Sequence, residues 1–233
     1  MPETIPRAFE DWNQLLYACS KTQEYLLNSV LDLKYSLERE HHHTMIRSMS
    51  GRLKTLESIR SKLARFDLAD TPQNASENLH DIAGIRIICS YLNDIEPVME
   101  ALKALEKLEI LQVKDYISHP KPSGYRSMHL VGICSASGFP VLCEIQLRTA
   151  AMDSWASLEH QMRYKKGLPD YEFVNRELLT CASLLHESDL KMQNIFEYLQ
   201  KHQPPEEKEQ PEEKEERKKT AESKNQNEKN QNE

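Results

Sequence analysis

No uninterrupted apolar run in this chain approaches the roughly 20 residues needed to span a bilayer. The N-terminal MPETIPRAFEDWNQ also lacks the apolar core of a secretory signal. Both absences argue for a soluble, cytoplasmic protein with no membrane partner. Net positive charge is missing too: the formal charge is -7 and the pI near 5.8. A protein whose main task is to coat nucleic acid or anionic membrane is normally basic overall, so that class is disfavoured, with local basic patches left open. The five cysteines have no C-x-x-C spacing, are odd in number and lie mostly inside apolar runs, which reads as reduced core residues. There is no internal repeat. From Gln203 to Glu233 no large apolar residue occurs at all, so nothing offsets the entropy of ordering, and a disordered charged tail is expected over 203–233.

What is present suffices for one folded unit, since 39% of the 233 residues are hydrophobic. Leu15, Leu16, Cys19, Leu26, Val30, Leu33 and Leu37 recur at three- and four-residue steps, which predicts a long amphipathic helix from about Ala8 to Glu40. A second helix is expected from Gly51 to Phe66, with DLADTPQNASEN as a loop after it. IAGIRIICSYL reads as a buried strand and DIEPVMEALKALEKL as a helix. EILQVKDYI, YRSMHLVGIC and PVLCEIQLR are further strands, the last two joined by SASGF. Two closing helices follow, the last able to pack along the first. The fold class is α+β, built on a small mixed sheet.

Three groupings could carry chemistry. Lys54, Ser58 and Lys62, four residues apart, would share one helical stripe, with Arg52 at its start. Ammonium groups so spaced suit a polyphosphate, although a solvated basic face explains them as well. In VLCEIQLR, strand alternation puts Glu144, Gln146 and Arg148 opposite Val141, Cys143, Ile145 and Leu147. The same rule groups Tyr125, Ser127 and His129 in YRSMHLV. If the strands pair, a ring, an imidazole, a carboxylate and an amide line one cleft; the alternative is an ordinary solvent-facing sheet surface. Asp81, just before the buried strand that carries Arg86, could share Mg2+ with Glu144, because that ion takes a couple of carboxylates plus waters and substrate phosphates. Alone, Asp81 could simply cap a turn. His80-Asp81 hints at a metal phosphohydrolase, but no second such pair accompanies it. His41 to His43 read as a polar helix end rather than a metal site.

Taken in order, GRLKTLESIRSKL, HDIAGIRIICSYLNDI, KDYISHPKPSGYRSMHLV and EIQLRTAAMDSWASLEHQMRYK resemble the synthetase domain of RelA/SpoT-type enzymes, specifically the single-domain small alarmone synthetases of the RelP and RelQ types. The resemblance implies a five-stranded mixed sheet related to nucleotidyltransferases. It also implies a domain division of 1–44 (helical oligomerisation segment), 45–166 (synthetase domain), 167–202 (C-terminal helix on the N-terminal one) and 203–233 (tail), assembled as a homotetramer. The implied reaction moves the β,γ-pyrophosphate of ATP to the 3′-hydroxyl of GDP or GTP.

Carried over by motif, Arg52 and Arg86 would sandwich adenine, and Lys54, Ser58 and Lys62 would hold the ATP phosphates. Asp81 and Glu144 would bind Mg2+, with Glu144 also the base. Tyr125 would stack on guanine, with Lys114, Lys121, His129 and Gln146 lining the acceptor side. Arg148 and Glu159 match the motifs without a set role. Ser123 stands where many members carry Asn. The first-helix stretch YLLNSVLDLKYS is largely apolar, and Ser48 stands where product-activated members carry an aromatic. Both points imply no strong activation by pppGpp and a closer likeness to RelP. Competing readings are a non-catalytic sensor of guanine nucleotides or single-stranded RNA on the same fold, a different nucleotidyltransferase, and a scaffold.

Overall fold

The computed structural model describes residues 9–163 and 171–202. The expected tail lies outside them. Helix α1 (Trp12–His41) starts where the Asp11 side chain accepts a hydrogen bond from the Gln14 amide at 2.8 Å, and ends at His42, which turns the chain out in the left-handed region. Its apolar stripe buries Leu15, Ala18, Cys19, Leu26, Val30 and Leu37. Strands β1 (Ile46–Leu53), β2 (Ala83–Cys89), β3 (Leu108–Asp115), β4 (Met128–Cys134) and β5 (Val141–Thr149) form one sheet in the order β1-β2-β5-β4-β3. β2 and β5 run parallel and the other pairs antiparallel, which makes the sheet mixed.

Alternation decides which face of the sheet packs. Ala83, Ile85, Ile87 and Cys89 of β2 and Cys143, Ile145 and Leu147 of β5 are buried in one core with α1, with Ile59 and Leu63 of α2 (Leu56–Arg65) and with Val98 and Leu102 of α4 (Ile95–Lys103). The residues between them, Gly84, Arg86, Glu144 and Gln146, point to the opposite face. Helix α5 (Ala150–Arg163) meets that face. Helix α6 (Tyr171–Lys201) joins α5 in a small second cluster, where Leu178 and Ala182 pack on Trp155 and partly cover Tyr125. Trp155 Nε1 donates to the Leu178 carbonyl at 2.8 Å, and the Gln193 side chain accepts from the Asn93 amide. Residues 195–201 form the last turns of α6, where the Tyr198 ring stacks at 4.1 Å on that of His202, just past the helix end.

Several sequence expectations need correction. IRSMSGRL is an edge strand, and its last three residues, Gly51 to Leu53, are the expected start of the second helix. Its burial does not alternate cleanly, so no periodicity marks it, and only pairing with β2 makes it a strand. The second helix begins at Leu56 instead of Gly51, because Thr55 accepts from the Ser58 amide and caps it. Lys54 therefore precedes the helix and shares no helical stripe with Ser58 and Lys62. The loop DLADTPQNASEN contains α3 (Pro72–Asn78), capped by Thr71 with Pro72 in its first turn. β4 begins at Met128, so alternation does not reach back to Ser127, which is fully buried and donates to the Leu147 carbonyl at 3.1 Å.

Candidate active site

Strand register builds the site. Read across the sheet, Ser50 pairs with Arg86, Arg86 with Gln146, Gln146 with His129 and His129 with Lys114. One step along, Arg52 pairs with Gly84, Gly84 with Glu144 and Glu144 with Val131. Paired residues point to the same face, so side chains distant in sequence line one surface. An open cleft of about 600 Å³ follows, lined among others by Arg52, Lys54, Asp81, Arg86, Glu144 and Gln146.

At one end Asp81, in the turn before β2, is held by two ammonium groups. Lys54 Nζ lies 2.6 Å from its Oδ2 and Lys62 Nζ 2.8 Å from its Oδ1. The turn is fixed because the Lys54 amide donates to the Ile82 carbonyl. Burial disfavours the charge on Asp81, but the hydrogen bonds and charges of the two lysines outweigh it and hold the carboxyl below its ordinary value. Glu144, on β5, is likewise opposed by burial and then pulled down further, to about 2, by His129 and by a hydrogen bond from Gln146 at 2.8 Å. Two ionised carboxylates therefore share the cleft. Among the described residues no group of three His, Cys, Asp or Glu is placed to hold a metal. A two-carboxylate site completed by water and phosphate is the kind that Mg2+ accepts.

The other end is aromatic. Tyr125 Oη lies 2.7 Å from His129 Nε2, and His129 Nδ1 lies 3.4 Å from Glu144 Oε2. Arg148 Nη2 donates to Tyr125 Oη at 2.8 Å and to Gln146 Oε1 at 2.7 Å. Lys121 Nζ sits 4.8 Å from the Tyr125 ring and 4.6 Å from Tyr116. The loop carrying Tyr125 turns at Gly124, whose φ of +91° suits glycine alone. A Cβ there would come within 2.7 Å of Ala182, so the missing side chain is also what lets α6 approach. Asp115 pins the start of the loop by accepting from the amides of Ile117 and Ser118.

Most of the residues singled out from the sequence converge: Arg52, Lys54, Lys62, Asp81, Arg86, Glu144 and Gln146 around the cleft, and Lys121, Tyr125, His129 and Arg148 at its aromatic end. Lys114 is next to His129 in register and acts electrostatically on His80. The Ser58 hydroxyl accepts from Thr55 Oγ1 at 2.8 Å, beside the helix cap. Glu159 lies on α5 next to His160, which lines the cleft. The His41–His43 run is a helix end, as expected, and His43 Nε2 bonds Asp94 at 2.8 Å.

Residues 51–168 match the model of the region found in RelA / SpoT proteins. The chain is 40% identical to GTP pyrophosphokinase YwaC of Bacillus subtilis over 204 residues, covering 83% of this chain and 94% of that protein. The chain belongs to the RelA/SpoT family. Within it, GTP pyrophosphokinase YjbM of Bacillus subtilis is 34% identical, over 80% of this chain and 89% of its own. Among solved structures, small alarmone synthetase 1 from Bacillus subtilis bound to its product pppGpp superposes with a TM-score of 0.72 at 33% identity, covering 81% of this chain and 98% of the other. Small alarmone synthetase 2 from the same organism gives 0.67 at 38%, covering 80% and 99%. The five-stranded mixed sheet is thus the small alarmone synthetase fold.

Three residues of this RelA/SpoT-type cleft escaped the sequence reading. Tyr116 is T-shaped to His129 at 5.2 Å, His160 lines the cleft, and Asp153 bonds both Arg86 and Arg148. No strand alternation flags them, because Tyr116 follows β3 and the other two ride on α5. Only Asp153 had a local signal, since it lies in the first turn of the helix that directly follows the strand of Arg148.

Proposed function

We propose that this chain is a (p)ppGpp synthetase of the stringent response, which transfers the β,γ-pyrophosphate of ATP to the 3′-hydroxyl of GDP or GTP and releases AMP. One observation carries the reading: in a RelA/SpoT-family chain, two ionised carboxylates line one cleft, Asp81 clasped by Lys54 and Lys62, and Glu144 beside the His129–Tyr125 pair. Phosphoryl-type transfer is mostly positioning plus charge neutralisation, and the two ends divide those tasks.

Arg52 and Arg86 offer guanidinium planes to the adenine. Lys54 and Lys62 release Asp81 and turn to the ATP phosphates, with Ser58 beside them. Tyr125 stacks on the guanine, and Lys114, Lys121, His129 and Gln146 line the acceptor. The acceptor 3′-oxygen attacks the β-phosphorus, the bond from that phosphorus to the α,β-bridging oxygen breaks, and AMP departs. Glu144, unprotonated at neutral pH, takes the hydroxyl proton. Asp81 and Glu144 would hold Mg2+, which supplies neutralisation of the phosphate charge. Glu159, one residue before the cleft-lining His160, would support the donor side.

The nucleotide substrates and the five unpaired cysteines suit the cytoplasm; no described helix is long and apolar enough to cross a membrane. The segments 1–44 and 167–202 flank the synthetase domain at 45–166 and build a homotetramer, a reading supported by exposed Leu179, Leu184, Leu190 and Met192 on α6. Static light scattering on the purified chain tests it.

The activity itself is tested by thin-layer separation after incubation with γ-labelled ATP, Mg2+ and GDP or GTP, beside Glu144→Gln and Tyr125→Ala. Label should move into ppGpp or pppGpp with the parent chain, vanish on chelation, fail to move in Glu144→Gln, and move more slowly in Tyr125→Ala at low acceptor concentration. Guanine nucleotide binding without transfer by the parent chain would mean a sensor instead.

A further inference from the structure

Arg148 is only 4% exposed, and its guanidinium is divided between Tyr125 and Gln146 on one side and Asp153 on the other. Its Nη2 donates to the Tyr125 hydroxyl at 2.8 Å and its Nη1 to Asp153 Oδ1 at 2.9 Å, while its central carbon lies 5.2 Å from the Tyr125 ring. The same oxygen of Asp153 also takes Arg86 Nη1 at 3.1 Å. A single carboxylate oxygen in the first turn of α5 thus joins an arginine on the donor side to an arginine that holds the acceptor-side tyrosine. Arg86 and Arg148 each keep a buried Nε with no hydrogen-bond partner. Two guanidinium groups share one negative charge here, an arrangement that costs desolvation and leaves each cation half-compensated. The Arg86 side chain remains 37% exposed and free to turn toward a ligand.

We infer that Asp153 and Arg148 are positioning residues that couple the two nucleotide subsites, so that binding of the donor nucleotide strengthens binding of the acceptor. This rests on the synthetase reading above. When Arg86 turns its plane to the donor base, its hold on Asp153 weakens. The whole carboxylate charge then serves Arg148, whose grip on the Tyr125 hydroxyl tightens and fixes the ring on which the acceptor base stacks. The coupling is reciprocal: the acceptor strengthens the donor by the same factor. Lysine cannot replace Arg148, because a point charge on a flexible stem does not reach Asp153 and Tyr125 together in a fixed fork.

The test is calorimetric titration of GDP into the full chain with Mg2+, with and without a non-transferable methylene analogue of ATP. It is run on the parent chain, Asp153→Asn and Arg148→Lys, with melting curves as a check of folding. In the parent chain the analogue should lower the GDP dissociation constant about fivefold or more, the lower bound of a typical coupling. In both variants that factor should collapse toward one. Asp153→Asn keeps the shape of the side chain, and Arg148→Lys gives an independent reading should one variant fold poorly. A merely structural role would weaken binding or stability without touching the ratio. No coupling in the parent chain, or the same coupling in a folded variant, overturns the inference. A parent chain that binds both nucleotides cooperatively yet makes no ppGpp from ATP and GDP keeps the coupling and overturns the synthetase reading.

Discussion

The two ends of the cleft are built on opposite principles. At the lysine end, one carboxylate is gripped by two flexible ammonium groups at 2.6 and 2.8 Å, which leaves a net positive charge and contacts that exchange easily for phosphate and metal. At the aromatic end, Tyr125, His129, Gln146 and Arg148 form a linked network in which the buried planar groups are fixed by more than one neighbour. The first end is suited to neutralise charge that arrives and leaves. The second is suited to hold a flat base in one orientation.

Breaking the lysine end should have the largest effect. Asp81→Asn removes a carboxylate that both lysines and a metal would use, and transfer should fall on the order of 10³-fold in a variant that melting curves show to be folded. A loss of only a few-fold in the labelled-ATP assay would show that Glu144 alone suffices. At the aromatic end, Tyr125→Ala should raise the acceptor KM about tenfold or more, since stacking of a base on a ring is worth ~1–3 kcal/mol. Tyr125→Phe keeps the ring and loses only the hydroxyl's bonds to His129 and Arg148, which act on the acceptor only through the ring's orientation, so about fivefold, equivalent to ~1 kcal/mol, is expected. Equal effects of the two substitutions would mean that the hydroxyl, not the ring, matters.

Acid should report on the two carboxylates of the cleft. The folded-state pKa of Glu144 is depressed to about 2 and that of Asp81 is lowered. The folded chain thus binds these protons more weakly than the unfolded chain. Their stabilisation is complete above the ordinary carboxylate range and is lost as pH falls through the folded values. For Glu144 the shift corresponds to roughly 3 kcal/mol, so melting curves between about pH 6 and pH 3 should decline less steeply in Glu144→Gln than in the parent chain. Parallel declines would rule out the assigned cause. The smallest effect is expected from added pppGpp, which should leave the steady-state rate nearly unchanged, because the first-helix stretch YLLNSVLDLKYS is largely apolar and Ser48 lies on β1. A several-fold rise would place the chain with the product-activated members.

The difference between the two ends also explains what could be read without coordinates. Strand alternation in VLCEIQLR separated Ile145 and Leu147 from Glu144 and Gln146, and the fold keeps that division because a one-residue slip would bury the carboxylate. Ser127 broke the same rule, because the strand starts one residue later and the hydroxyl turns down to the backbone of β5. Lys54 reached Asp81 although the helix starts after it, since a turn and a helix deliver Lys54 and Lys62 to one carboxylate. Asp153 and Tyr116 carried no periodic signal of their own.

The sequence by itself determined the apolar faces of α1, β2 and β5, the α+β class and the four ordered motifs, because burial of alternating or helically spaced apolar side chains is a local property of the chain. Only the tertiary structure decided that IRSMSGRL is a strand, that Ser50, Arg86, Gln146, His129 and Lys114 form one row, and that Asp153 joins two arginines 62 positions apart in sequence. Register and helix docking set these, and both depend on partners far along the chain.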